Sequence, residues 1–251
     1  MRAAESDGPG LAVETRVEAA RGVTEIVVYA RDRRGLFASI AGAMALSGAS
    51  IVDARIATLA DGVALDTFWI QDIEGRAYAA PERLERLTRR IKDALAGKLD
   101  TAQALASHRR RALPSRTQVF TVPPRVIVDN KASGDHTVVE VNGRDRIGFL
   151  HDVTSAITAL GLQISSAHIS TYGERVVDVF YVKDAFGLKV EHPEKIKAIR
   201  ERLLAQVAAS GAEPAKETAA AAPRKPSSRK SGGVLKRLLG RSPRAAAGAG
   251  K

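Results

Sequence analysis

Two eleven-residue stretches hold the residues of this chain best placed for chemistry: ARDRRGLFASI at 30–40 and GRDRIGFLHDV at 143–153. Each sets Arg-Asp-Arg-x-Gly between a β-branched run and a helix-like one. A glycine at such a turn lets the backbone bend tightly or a ligand approach closely. The free N–H groups and positive dipole end of a helix start suit a carboxylate, and Asp32 or Asp145 can accept from an α-amino group. A zwitterionic amino acid meets both demands; the plainer alternative is that each Asp caps its helix and each Gly only closes the turn. The His151-Asp152 dipeptide invites a metal reading, but a metal needs several convergent ligands. His108, His136, His168 and His192 fall in a linker, a loop, a strand and a helix start, so they are read as surface or incidental histidines. There is no cysteine, and no Gly-Ser turn, Asp-x-Asp pair or P-loop occurs. No catalytic and no metal-binding residue is assigned.

The elements that must hold these corners are themselves duplicated. Shifted by 113 positions, residues 31–58 lie on residues 144–171 with ten identities, among them Arg31, Asp32, Arg33, Gly35, Gly48, Ile51, Ala54 and Thr58. After a one-residue gap Asp66, Phe68, Asp72 and Gly75 match Asp178, Phe180, Asp184 and Gly187. Each copy reads strand, helix, strand, strand, helix. The first helix of copy one puts Leu36, Ile40, Ala43 and Met44 on one face, and that of copy two Phe149, Val153, Ile157 and Leu160. Pro81 opens a closing helix with Leu84, Leu87, Ile91 and Leu95 inward; its counterpart runs through Ile196, Ile199, Leu203 and Leu204. The pattern predicts an α+β class with two ferredoxin-like sandwiches, each an antiparallel sheet with helices on one face. No strand candidate follows the last helix. Strands placed first, over LAVETRVEA and RVIVDN, are therefore predicted to fill the edge beside the next strand by a hairpin.

The predicted organisation is a first module at 11–98, a linker at 99–116 long enough to let one unit swing, a second module at 117–207, and a disordered basic tail at 208–251. The net charge of +11 is concentrated in that tail, where ten Lys or Arg face Glu213 and Glu217, a net +8 that leaves +3 elsewhere. Its VLKRLLGR segment is basic and amphipathic. Nucleic acid or an anionic membrane is thus expected only as a weak partner, through the tail. Without a signal-like or membrane-length apolar run, the expectation is a soluble, cytoplasmic protein.

GRDRIGFL followed by GLQISSAHISTYGERVVDVFYVKDAFGLKV resembles the ACT domain, a small-molecule sensor module. The two repeats together with the VDNKAS junction resemble the C-terminal tandem ACT region of the bifunctional protein-PII uridylyltransferase/uridylyl-removing enzyme family. That resemblance implies a regulatory module in nitrogen signalling with glutamine as effector, and the PII signal protein as a partner through the parent enzyme. It also implies no cofactor in this chain, magnesium belonging to the parent's absent catalytic domains, so that the chain is no enzyme on its own. Its start just ahead of the first repeat reads as a C-terminal region that is truncated, split or separately encoded. The implied ligand site lies where one unit's strand-to-helix turn meets its neighbour's second strand. On this chain that means Asp32, Gly35 and Leu36, or Asp145, Gly148 and Phe149, with Ser50 and Ile51, or Gln163 and Ile164. Such modules are expected to pair within or between chains. The alternatives are a stand-alone ACT-domain binding protein and an RNA-binding ferredoxin-like protein that uses its basic tail.

Overall fold

Apolar residues at every second position favour strands and those three to four apart favour helices, and this chain runs through both periods twice. The computed structural model describes residues 10–59, 61–111, 122–172 and 174–211. The first half comprises β1 (Ala12–Glu18), β2 (Val23–Arg31), α1 (Leu36–Leu46), β3 (Ser50–Thr58), β4 (Val63–Gln71) and α2 (Pro81–Leu95). After α3 (Thr101–Arg111), the second half repeats that order: β5 (Arg125–Asp129), β6 (Thr137–Arg144), α4 (Phe149–Ala159), β7 (Gln163–Tyr172), β8 (Arg175–Lys183) and α5 (Pro193–Gly211). The strands predicted to come first do form antiparallel ladders, from Ala12 opposite Tyr29 to Glu18 opposite Val23, and from Arg125 opposite Asn142 to Asp129 opposite Val138.

All eight strands join one sheet, in the order β1-β2-β4-β3-β7-β8-β6-β5. Its central seam is the antiparallel pair β3–β7, in which Ala54 faces Ala167, flanked by Asp53 opposite His168 and Arg55 opposite Ser166. Ala167 lies 113 positions after Ala54. The duplication is therefore expressed as a pseudo-two-fold axis between these two alanines, and the joined edges need no other cover.

Along β4 the inward positions are Ala64, Asp66, Phe68 and Ile70, and along β8 they are Val176, Asp178, Phe180 and Val182. Each apolar series thus includes one carboxylic acid. Helix α1 buries Leu36, Ile40, Ala43 and Met44 as its period predicts, and also Phe37, Ala38, Ala41 and Gly42. It is apolar nearly all round because α2, α3 and α4 pack against it as well as the sheet. In α2 the stripe centres on Leu87 and Ile91, with Leu84 and Leu95 partly buried; in α5 Ile199 and Leu203 are buried while Leu204 stays exposed, contrary to expectation.

The segment expected to swing as a linker is largely helix α3. Thr101 and Leu105 are buried, and a Cβ added to Gly42 would come within 2.7 Å of Thr101 Cβ and 2.8 Å of His151 Cδ2. The helix is seated between α1 and α4 at a spot that admits only a glycine from α1. Both halves lie in one compact unit. The expected tail, with its VLKRLLGR segment, lies outside the described residues apart from the end of α5. No described helix is long and apolar enough to cross a membrane.

Candidate functional site

The two Arg-Asp-Arg-x-Gly segments form the corners from β2 into α1 and from β6 into α4. Gly35 and Gly148 occupy the N-cap positions with φ of +79° in both cases, a conformation that a side chain would strain. Neither helix has a side-chain cap. The capping alternative for Asp32 and Asp145 is thereby corrected: a glycine already at N-cap puts each Asp three residues too early. The Asp32 carboxylate instead accepts from the Thr58 hydroxyl at 3.0 Å, tying the corner to the end of β3.

A cavity of about 570 Å³ lies at the second corner and is bounded by both halves. Asp145, Gly148 and Phe149 line it from the second half, and Ser50 and Ile51, at the start of β3, from the first. Half of the residues implied by the resemblance are thus brought together, in the cross-half combination of one unit's turn with its neighbour's second strand. The other half lie across the pseudo-two-fold axis. Leu36 is a core residue and Ile51 and Phe149 are also buried, whereas Ser50 and Gln163 are exposed and Ile164 is half-buried.

Sequence reasoning passed over Arg146, the second arginine of the motif and part of the cavity wall. Its Nη2 donates to Asp152 Oδ2 at 2.5 Å, and its guanidinium lies 5.8 Å from the Phe149 ring centre. Its Nε and Nη1 are shut off from solvent without a hydrogen-bond partner. Asp152 is the hub of this corner. It also accepts from Arg109 Nη1 of α3 at 2.8 Å, and its Oδ1 lies 3.1 Å from His151 Nδ1. Burial opposes the Asp152 charge, but His151, Arg146 and Arg109 outweigh it and hold the carboxyl well below the usual range. His151 is buried, with Nε2 3.4 Å from Thr101 Oγ1. Its role is to join α4 to α3. Among the described residues no group of three or more acidic or histidine side chains is placed to hold a metal ion.

Two further carboxyls were missed because nothing but the inward strand register distinguishes them. Asp66 and Asp178 are each 1% exposed, and no oxygen of either has a hydrogen-bond partner. Burial, helped by the neighbouring Asp32, pushes Asp66 up to about 7. Asp178 forms part of the cavity wall, and burial pushes it up to about 8; the Ser170 N–H opposes the rise and Asp145 adds to it. Asp145, at the rim, is itself raised by burial against the opposing N–H and charge of Arg146. The wall therefore carries a guanidinium with two N–H-bearing nitrogens unpaired, Nε and Nη1, and a carboxyl with both oxygens unpaired, which is the complement of a small molecule bearing both signs of charge.

Residues 132–210 match the family described as the ACR family N-terminal ACT domain. Over 187 residues the chain is 55% identical to the bifunctional uridylyltransferase/uridylyl-removing enzyme of Gluconobacter oxydans, covering 74% of this chain and 20% of that enzyme. The enzymes of the same name from Rhodospirillum rubrum and Azospirillum brasilense are 53% identical over 207 residues and 54% identical over 195. Those matches cover 82% and 77% of this chain and 22% and 21% of the respective enzymes. The chain spans about a fifth of the length of the curated relatives it matches. The fold is of the ACT type, and what the chain shares with these enzymes is an ACT regulatory region.

Proposed function

We propose that this chain, similar over most of its length to one region of the uridylyltransferase/uridylyl-removing enzymes, is the amino-acid-sensing module of such an enzyme. The modules at 11–98 and 117–207 act as a pair, with glutamine as the effector. The observation that carries this reading is the cavity bounded by both halves, whose wall holds the unpaired Nε and Nη1 of Arg146 and the unpaired carboxyl of Asp178. The effector's carboxylate is met by the Arg146 guanidinium and by first-turn N–H groups of α4 that the helix cannot use. Its side chain runs toward Ser50 and Ile51 of the other half.

A ligand held this way touches both halves at once. It favours the arrangement in which they close on it, and only that difference in affinity can move an equilibrium elsewhere in an enzyme. In this reading the catalytic work and its metal chemistry belong to other domains of the parent enzyme. The PII protein and nitrogen signalling are reached only through those domains, in the cytoplasm. Calorimetric titration of the chain with L-glutamine, and with the other proteinogenic amino acids, tests the reading. Saturable binding at one site per chain, strongest for glutamine, is expected. No saturable heat from any amino acid at millimolar concentration contradicts it.

A further inference from the structure

The inward series of β8 forces one acid into a hydrocarbon layer, and that acid reaches the cavity wall. Asp178 has Val141 and Ile169 as its ladder neighbours on β6 and β7, neither able to satisfy a carboxyl. The charged groups around the same cavity are Asp145 and Arg146 from the corner before α4, and Asp72 from the loop after β4. Asp72 already accepts from the Glu74 and Arg76 N–H groups, both at 2.9 Å, and Arg146 is tied to Asp152. Asp178 alone among these is buried with neither carboxyl oxygen in a formed hydrogen bond, the Ser170 N–H being near enough only to temper the effect of burial. A buried acceptor in want of donors is unfavourable, and a cationic N–H donor is the occupant that satisfies it best.

We propose that Asp178 is the specificity-determining residue for the primary ammonium group of the effector. The inference rests on the amino-acid reading above and assigns the atoms that receive the amino end, while Arg146 receives the carboxylate. With the cavity empty, Asp178 holds its proton at pH 7. When the ligand enters, its ammonium keeps all three protons and Asp178 releases its own to solvent, leaving a carboxylate–ammonium pair. One proton is therefore released for each ligand bound. Affinity rises with pH below about 8, by up to roughly tenfold per unit, and levels off above it.

The test is calorimetry at pH 7 in buffers of different ionisation heat, with two probes: L-glutamine and 5-amino-5-oxopentanoic acid, its analogue without the α-amino group. The wild type is expected to release about one proton on binding glutamine and to bind it about 30-fold tighter than the analogue. Asp178→Asn replaces a neutral acid with an amide of the same shape. It is expected to fold, to lose about 30-fold for glutamine, to release no proton, and to bind the analogue within about twofold of wild type. Asp66→Asn, at the matching position of the first half, leaves every value unchanged. Wild-type affinity and proton release in a folded Asp178→Asn variant overturn this inference and leave the amino-acid reading standing. Binding of neither probe to the wild type overturns both. Should the variant not fold, the wild type still decides: glutamine bound no tighter than the analogue and without proton release is the contradicting result.

Discussion

The corner before α1 and the corner before α4 share a motif and a backbone conformation, yet only their surroundings explain why they differ. Arg33 donates to the Ala94 and Leu95 carbonyls at the end of α2, at 3.4 and 3.2 Å. Its counterpart Arg146 is held by Asp152, a position occupied in the first half by Ser39, whose hydroxyl merely donates back to Gly35 O at 3.0 Å. At the next motif position Arg34 crosses the pseudo-two-fold axis to donate to Thr158 O at 2.8 Å. Ile147, the counterpart of Arg34, has no donor for that bridge, and it and Ala45, the counterpart of Thr158, both line the cavity. The motif builds the turn; its neighbours decide whether the second arginine is held by an acid beside a hollow or committed to a helix end.

The largest effect expected from breaking this contrast is on binding. Arg146→Ala should weaken glutamine about 100-fold, as loss of a charge-assisted contact, while Arg33→Ala should change affinity by less than about twofold. Calorimetry on the two variants measures the difference. Next comes the hub. At pH 7, Asp152→Asn should cost about 2 kcal/mol in urea unfolding, because two arginines lose their acceptor, against less than about 1 kcal/mol for Ser39→Ala. The sign with pH follows from the lowered carboxyl. Asp152 contributes stability above the unfolded value of about 3.9, and that contribution fades as pH falls toward the lower folded one. The gap between wild type and Asp152→Asn should thus narrow between pH 5 and pH 2. The smallest effect is a difference between glycines. Gly35→Ala and Gly148→Ala both strain a positive φ by about 1–2 kcal/mol. A Cβ at 148 also meets Leu105 at 3.0 and 3.1 Å, whereas at 35 the nearest atom is 4.0 Å away. Gly148→Ala should therefore be the worse by about 1 kcal/mol in thermal unfolding, and the excess should vanish in a Leu105→Ala background.

Much of the fold could be read from the chain because its cues are local. The strand periods, the Pro81 helix start and the absence of a last strand point to the leading edge strands β1 and β5. The joint between halves was not readable. Edge-to-edge pairing of β3 with β7 depends on which edges meet, and Asp53, Ala54 and Arg55 carry no mark of their partners. Helix α3 was missed because TAQALASHRRR offers little apolar surface beyond Leu105. Its stability comes from a seat on Gly42, Gly148 and His151 that exists only after α1 and α4 have packed. In the site, the corner residues were marked by their repetition, whereas Arg146 looked like half of an ordinary motif pair. Its difference from Arg33 lies six residues on, in Asp152.

The central claim is that one effector binds per chain, at the α4 corner and against β3. Amide chemical-shift mapping of the ¹⁵N-labelled chain during a glutamine titration tests it most directly. Saturating shifts at Asp145, Gly148, Ser50 and Ile51 that fit a single site are expected, with Asp32, Gly35, Gln163 and Ile164 little changed. Shifts centred on Gly35 and Gln163, or equal at both corners with two sites per chain, would contradict it.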